Sequence, residues 1–173
     1  MDPFATLGID RAFDVDLRAV EKTHRELSRA LHPDRFVQAP ASERKAALEK
    51  AVAVNEAWRI VRDPIRRAEA LLGLAGVSVA EDRAPRTDPG FLMEMMELRE
   101  ALSEARGAKD VARVREMAKA IEERSTRVQA ELAEGFAHRD ASSLPSLAGK
   151  LGELRFYRRF LDEVSAIEDE LAA

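Results

Sequence analysis

The chain has 173 residues, enough for one medium domain or two small ones; 35% are charged, 5% are aromatic and only eight are glycine, a composition that predicts a soluble, helix-rich protein with Leu, Ala, Val and Met cores. No apolar run approaches the length that spans a bilayer, and Asp2 stands where a secretory signal carries lysine or arginine, so the cytoplasm is the expected address. The lack of cysteine excludes disulfides, cysteine-based zinc sites and thiolate ligation of any metal centre, and a pI near 5.6 with one tryptophan and one tyrosine argues against a nucleic-acid-binding domain.

Asp2-Pro3 sets a capping carboxylate before a proline at the first helical position and predicts a short helix through Phe4 and Leu7 that closes at Gly8. Asp16 caps a second predicted helix, residues 17–31, whose Leu17, Val20, Leu27 and Leu31, with His24 in the same series, step by threes and fours toward a core. On the opposite face Arg18, Lys22, Arg25 and Arg29 form a basic stripe. Taken alone, such a stripe reads first as the solvated face of an amphipathic helix. His32-Pro33-Asp34 ends this helix, because proline fixes its own φ, removes a backbone donor and biases His32 away from helical geometry. The expected result is a stiff corner presenting His32 and Asp34, followed by a loop over residues 35–40. A third helix, about residues 42–62, repeats the core spacing through Ala47, Ala51, Val54, Trp58 and Val61, with Asp63-Pro64 behind it. The outcome is an antiparallel helical hairpin with the tripeptide at its tip.

Over these first seventy-odd residues the chain resembles a J-domain, on His32-Pro33-Asp34, the short first helix and Asn55-Glu56-Ala57-Trp58. The resemblance implies that the tripeptide and the stripe Arg18, Lys22, Arg25 and Arg29, with Arg35 as a weaker addition, meet an acidic surface on the ATPase domain of a DnaK-type chaperone. Arg35 stands where lysine is common in the family, which keeps the charge.

Gly73, Gly76, Ser78, the charged Glu81-Asp82-Arg83, Pro85 and Thr87-Asp88-Pro89-Gly90 suit a connector, so residues 1–74 are expected to form one domain, 75–88 a linker and 89–173 a second domain. Charge is shared unevenly: residues 1–74 hold 13 Lys and Arg against 12 Asp and Glu, the rest 15 against 20. Asp88-Pro89 repeats the cap-and-proline device and launches three helical patterns. The first carries Phe91, Met95, Leu98, Leu102 and Ala105; the second Val111, Val114, Ala118, Ile121, Ser125, Val128 and Leu132; the third Leu147, Leu151, Leu154, Tyr157, Leu161, Val164, Ile167 and Leu171. Short breaks, at residues 106–109 and 138–145, predict an antiparallel three-helix bundle, so the fold class is all-α throughout.

The first bundle helix has more apolar residues than one seam needs. Leu92, Met93 and Met96 lie off the core series, and Met93, Glu97, Glu100 and Glu104 run at steps of four, three and four. Such a second face either packs on the rest of the chain, widens the bundle seam or binds a partner; methionine's adaptable side chain suits the last. With Arg67-Ala68-Glu69-Ala70-Leu71-Leu72 before the connector and Phe91-Leu92-Met93-Glu94-Met95-Met96-Glu97-Leu98-Arg99-Glu100 opening the bundle, nearly the whole chain resembles the HscB-type co-chaperones of iron–sulfur cluster biogenesis, in their short bacterial form. That resemblance implies an HscA/DnaK-type partner for the J-domain and an IscU-type scaffold partner for the bundle. By motif the scaffold-binding residues are Leu92, Met93, Met96, Glu97, Glu100, Glu104 and Phe156, the last expected as an exposed anchor one position off the Leu154/Tyr157 seam. Met96 replaces a more familiar leucine. No cofactor, metal, nucleic acid or membrane is implied, and a monomer is expected. Enzymatic activity is not expected: His24, His32 and His138 are scattered, and no nucleophile-elbow or phosphate-loop pattern accompanies them. A general J-domain co-chaperone serving other clients is the alternative, and the Leu92/Met93/Met96 face discriminates between the two.

Overall fold

The computed structural model describes residues 1–77, 88–138 and 144–172, and among these residues all regular structure is helical. The chain divides into two compact units, Met1–Val77 and Ser78–Ala173.

In the first unit, α1 (Pro3–Leu7) starts where the Asp2 carboxylate accepts from the Phe4 and Ala5 amides at 3.0 and 3.2 Å, and it ends at Gly8, whose φ of 67° is the left-handed geometry that glycine adopts without a side-chain clash. The Asp16 carboxylate caps α2 (Leu17–Ala30) in the same way through Arg18 and Ala19. A 3-10 turn, Pro33–Phe36, occupies the first part of the expected loop, and α3 (Ala41–Arg62) returns along α2. The core is Phe4, Leu7, Phe13, Val20, Ala47, Val54, Ala57 and Val61, joined by Ala68, Leu71 and Leu72. Those last three belong to α4 (Pro64–Leu74), a helix beyond the expected hairpin; Asp63 caps it, accepting from Ile65 and Arg66 at 2.9 and 3.1 Å, with Pro64 at its first position.

Of the expected core positions of α2, Val20 is buried, His24, Leu27 and Leu31 are half-buried and Leu17 is exposed. Leu17, the first residue of the helix, is 41% exposed. His24 is half-buried: its ring stacks on Trp58 at 5.4 Å and 16°, and its Nε2 lies 2.9 Å from Asn55 Oδ1. It is a polar tie between α2 and α3 at the edge of the core. Arg67 is the buried cation of this unit; its Nη1 donates to the Val61 carbonyl at 2.7 Å and its guanidinium lies 4.8 Å above the Phe13 ring.

In the second unit, α5 (Pro89–Gly107), α6 (Val111–His138) and α7 (Leu144–Ala172) form a three-helix bundle. Its core is Met95, Leu102 and Ala105 against Val114, Ile121, Val128 and Leu132, and against Leu147, Leu151, Leu154, Tyr157, Val164 and Ile167, with Phe160 and Ala148 added to the expected seam. Contacts pair Phe91 with Phe156, Arg99 with Glu163 and Arg106 with Glu170, rising together along both helices, so α5 and α7 run parallel, while Glu104 with Arg113 and Glu94 with Arg124 show α6 running against them. His138, expected in a loop, is the exposed last residue of α6. The expected linker residues 78–87 and the expected break residues 139–143 lie outside the described residues.

Candidate functional site

Two exposed constellations stand out. At the tip of the α2/α3 hairpin, α2 ends at Leu31 and His32 adopts extended geometry, φ −63° and ψ 134°, as a residue before proline should. The His32 carbonyl accepts from the Arg35 amide at 3.0 Å, and His32 Nδ1 lies 3.4 Å from the Asp34 amide that donates to it. The ring therefore caps the 3-10 turn, and the corner is braced from both sides of Pro33. Asp34 is 86% exposed at its side chain, and its Oδ2 lies 3.5 Å from His32 Nδ1, an ion pair only when the ring is protonated. A carboxylate held this far into solvent is an open hydrogen-bond acceptor.

Arg18, Lys22, Arg25 and Arg29 are all exposed and share one face of α2, as their spacing requires. The stripe is not purely basic. Glu21 and Glu26 line the same shallow groove, and Glu21 accepts a charge-assisted bond from Arg25 one turn later. Arg35 is exposed within the 3-10 turn beside the tripeptide. The structure thus joins the tripeptide, Arg35 and the stripe along one hairpin.

The second constellation is on α5. Leu92, Met93 and Met96 are 38%, 65% and 72% exposed, and with Pro89, Glu97 and Glu100 they line one open, largely apolar hollow. Glu104 lies one turn beyond Glu100, at 4.0 Å from Arg113 of α6, and does not line the hollow. Phe156 is corrected: it is half-buried rather than an exposed anchor. Its ring meets Phe91 edge-on at 5.6 Å and 75°, and the Arg159 guanidinium lies 4.6 Å above its centroid. The parallel course of α5 and α7 brings Phe156 beside Phe91, the residue preceding Leu92, but neither ring lines the hollow. Beneath it Tyr157 also meets Phe91 edge-on, and burial pushes its phenol pKa above the ordinary value, with the Glu153 carboxylate adding to the shift.

Sequence reasoning missed the Arg159 cap on Phe156, and only the i, i+3 spacing of the two hinted at it. Among the described residues no group of three His, Cys, Asp or Glu side chains could hold a metal ion, and no helix is long and apolar enough to cross a membrane. What both constellations offer is docking: one charged and braced, the other apolar with an acidic rim.

The family model described as the HSCB C-terminal oligomerisation domain matches residues 87–165. Over 172 residues, covering 99% of this chain and 94% of the relative, the sequence is 38% identical to the co-chaperone protein HscB homolog of Azoarcus sp.. The chain belongs to the HscB co-chaperone family. The HscB homolog of Shewanella baltica is 31% identical, with 99% of both chains covered. Among solved structures, the chaperone HscB from Vibrio cholerae superposes with a TM-score of 0.85 at 31% identity, covering 99% of each chain. Human co-chaperone protein HscB superposes with a TM-score of 0.87 at 23% identity over 97% of this chain and 82% of that one, which speaks for the shared all-helical HscB fold. Membership of the HscB family makes the work of this chain that of a co-chaperone in iron–sulfur cluster biogenesis.

Proposed function

We propose that this chain binds an IscU-type iron–sulfur scaffold protein through its C-terminal bundle and delivers it to an HscA/DnaK-type chaperone, whose ATP hydrolysis it stimulates through His32-Pro33-Asp34. In this reading residues 1–74 are the J-domain, 75–88 the linker and 89–173 the scaffold-binding domain. The observation that carries it is the presence, on one HscB-family chain, of a braced and exposed tripeptide corner behind a basic stripe and of an apolar hollow with an acidic rim.

The chemistry of each surface suits its partner. Asp34 accepts a charge-assisted hydrogen bond from a chaperone arginine, while Arg18, Lys22, Arg25 and Arg29 steer an acidic surface toward the corner. Hydrolysis belongs to the chaperone. On the bundle, burying the exposed parts of Leu92, Met93 and Met96 contributes about 3–5 kcal/mol before ordering costs, and Glu97 and Glu100 select against acidic partners. A coupling of about 1–3 kcal/mol between the two bound partners changes affinity roughly 5- to 150-fold, enough for loading and release.

The test is steady-state ATP hydrolysis by an HscA-type chaperone with this protein, with IscU and with both. Synergy between the two is expected to vanish in Asp34→Asn and in the triple variant Leu92→Ala, Met93→Ala, Met96→Ala. Full synergy in either variant would overturn the reading of that surface. The family description of the bundle as an oligomerisation domain favours one second reading, in which the methionine hollow seats another copy of the chain. Sedimentation velocity across a concentration series separates the two: a second copy predicts a concentration-dependent dimer that the triple alanine variant abolishes.

A further inference from the structure

Two carboxylates interrupt the basic stripe of α2, and they differ in what they are bound to. At about 100° per residue, Arg18, Lys22, Arg25 and Arg29 cluster around one line along the helix, with Glu21 about 70° to one side of it and Glu26 about 70° to the other. All six side chains line one shallow groove, which therefore reads negative, positive, negative across its width. Glu21 stands one turn before Arg25, the order in which an acid–base pair on a helix is favoured, and its Oε1 accepts from Arg25 Nη2 at 2.5 Å. Glu26 stands one turn after Lys22, the reverse and less favoured order, and one turn before Arg29. It is exposed and has no ion-pair partner among the described residues. The groove thus holds one acid already spent on a neighbour and one whose charge is unclaimed.

We propose that Glu26 is a specificity-determining residue of the chaperone dock, selecting an acidic strip that is bordered by a lysine or arginine. An unbroken acidic surface laid on the groove meets Glu26 as a like charge, whereas a strip with a cation at its border meets it as a partner, so a single residue supplies both the repulsion and the attraction that discrimination needs. Glu21 does not discriminate in this way, because Arg25 already offsets its charge. The HscA-type chaperone is the matching surface and a general DnaK-type chaperone the mismatched one. This deepens the chaperone-delivery reading and rests on it.

The experiment is steady-state ATP hydrolysis by an HscA-type chaperone and, separately, by a general DnaK-type chaperone, each titrated with the full chain across a salt series. The variants are Glu26→Gln, Glu26→Lys, Glu21→Gln and Asp34→Asn, and the readout is the concentration that gives half-maximal stimulation. Glu26→Gln is expected to raise that concentration about threefold with the HscA-type chaperone and to lower it about threefold with the general one, since an exposed pair contributes modestly. Glu26→Lys should widen both shifts to about tenfold, because reversal adds repulsion on one surface and attraction on the other. Glu21→Gln should shift both chaperones in the same direction, as a loss of acidic charge without a specific partner does. Glu26→Gln should also make the salt dependence shallower with the HscA-type chaperone and steeper with the general one, opposite changes that a weakened helix cannot produce. Circular dichroism melts that match the wild type establish that α2 is intact. Wild-type half-points in Glu26→Lys, or shifts of the same sign and size with both chaperones in Glu26→Gln, overturn the proposal. Wild-type stimulation by Asp34→Asn overturns the underlying chaperone reading instead.

Discussion

Replacing Arg67 by methionine measures what a buried cation does for the J-domain unit. Arg67 is 7% exposed, and burial lowers its guanidinium pKa, with the Asp63 and Asp14 carboxylates working against that shift; a guanidinium nonetheless stays charged inside a protein. Methionine keeps most of the side-chain volume and removes the charge. The change forfeits the 2.7 Å bond to the Val61 carbonyl, in the last turn of α3 where helix carbonyls lack intrahelical partners, and a charged hydrogen bond of this kind contributes about 1.5–3 kcal/mol. It also forfeits the stacking on Phe13, about 1–2 kcal/mol when desolvated. Against this stands relief at Arg67 Nε, a buried donor without a hydrogen-bond partner, which costs the native state about 1–3 kcal/mol. The net is a loss of about 2 kcal/mol, or a midpoint lower by about 8–16 °C for a unit of this size. Trp58, the sole tryptophan, lies in this unit, so its fluorescence follows J-domain unfolding while circular dichroism follows both units. A variant as stable as the wild type, or more so, would refute the reasoning and show that desolvation of the cation outweighs its contacts.

Three further outcomes follow from the geometry. At Asp2, burial by itself would raise the carboxyl pKa, but bonds from the Ala5 amide, Arg11 and the Phe4 amide together hold it below the ordinary 3.8; its cap therefore stabilises α1 fully above that value and is lost as pH falls through the lowered one, and Asp2→Asn should cost about 0.5–1 kcal/mol near neutrality while removing this acid dependence in Trp58 melts. At Lys150, bonds to Glu131 at 2.9 Å, the larger effect, and to Glu153 at 3.2 Å outweigh burial and raise the ammonium above 10.5, so the tie between α6 and α7 is fully present below that value and lost as pH rises through the raised one; alkaline melts of Lys150→Met should show a shallower fall than those of the wild type. At Gly135, a β-carbon would collide with Leu147 across the α6/α7 contact, and Gly135→Val should destabilise the bundle by about 1–3 kcal/mol in denaturant titration followed by circular dichroism, with Trp58 fluorescence unmoved.

The helix starts most legible in the residues are those announced by two signals at once, a capping aspartate with proline and an apolar period. Asp2-Pro3 and Asp88-Pro89 met both conditions, and α1 and α5 begin there. Asp63-Pro64 carries the same device, but the residues do not set α4 apart as a helix, because Gly73, Leu74 and Gly76 draw its end toward the connector and Arg66 and Arg67 stand before the apolar series Ala68, Leu71 and Leu72. A cation beside a core series reads as a solvated position, and only the Phe13 ring, far away in sequence, and the Val61 carbonyl, six residues back in α3, make it a buried one. The same reason accounts for Phe156. Its place one step off the seam marks it as exposed on an isolated helix, whereas the parallel neighbour α5 and the Arg159 side chain cover it.

The candidate binding residues were more legible than the core around them, for a physical reason. A residue that helps fold the chain is defined by neighbours that sequence does not name, but Met93 at 65% and Met96 at 72% exposure owe nothing to neighbours and stand out as apolar side chains that folding leaves unused. Their truncation should therefore cost little stability, within about 0.5 kcal/mol each, while removing the apolar centre of the hollow. The corner at His32-Pro33-Asp34 differs, since its brace runs through the His32 ring itself. His32→Gln should loosen the 3-10 turn as well as alter the contact surface, whereas Asp34→Asn changes only the exposed acceptor and preserves the amide that bonds to His32. Amide hydrogen exchange at Asp34 and Arg35 separates these two effects: faster exchange in His32→Gln with wild-type exchange in Asp34→Asn is the expected pattern, and equal acceleration in both would show that the Asp34 carboxylate, at 3.5 Å from the ring, shares the bracing.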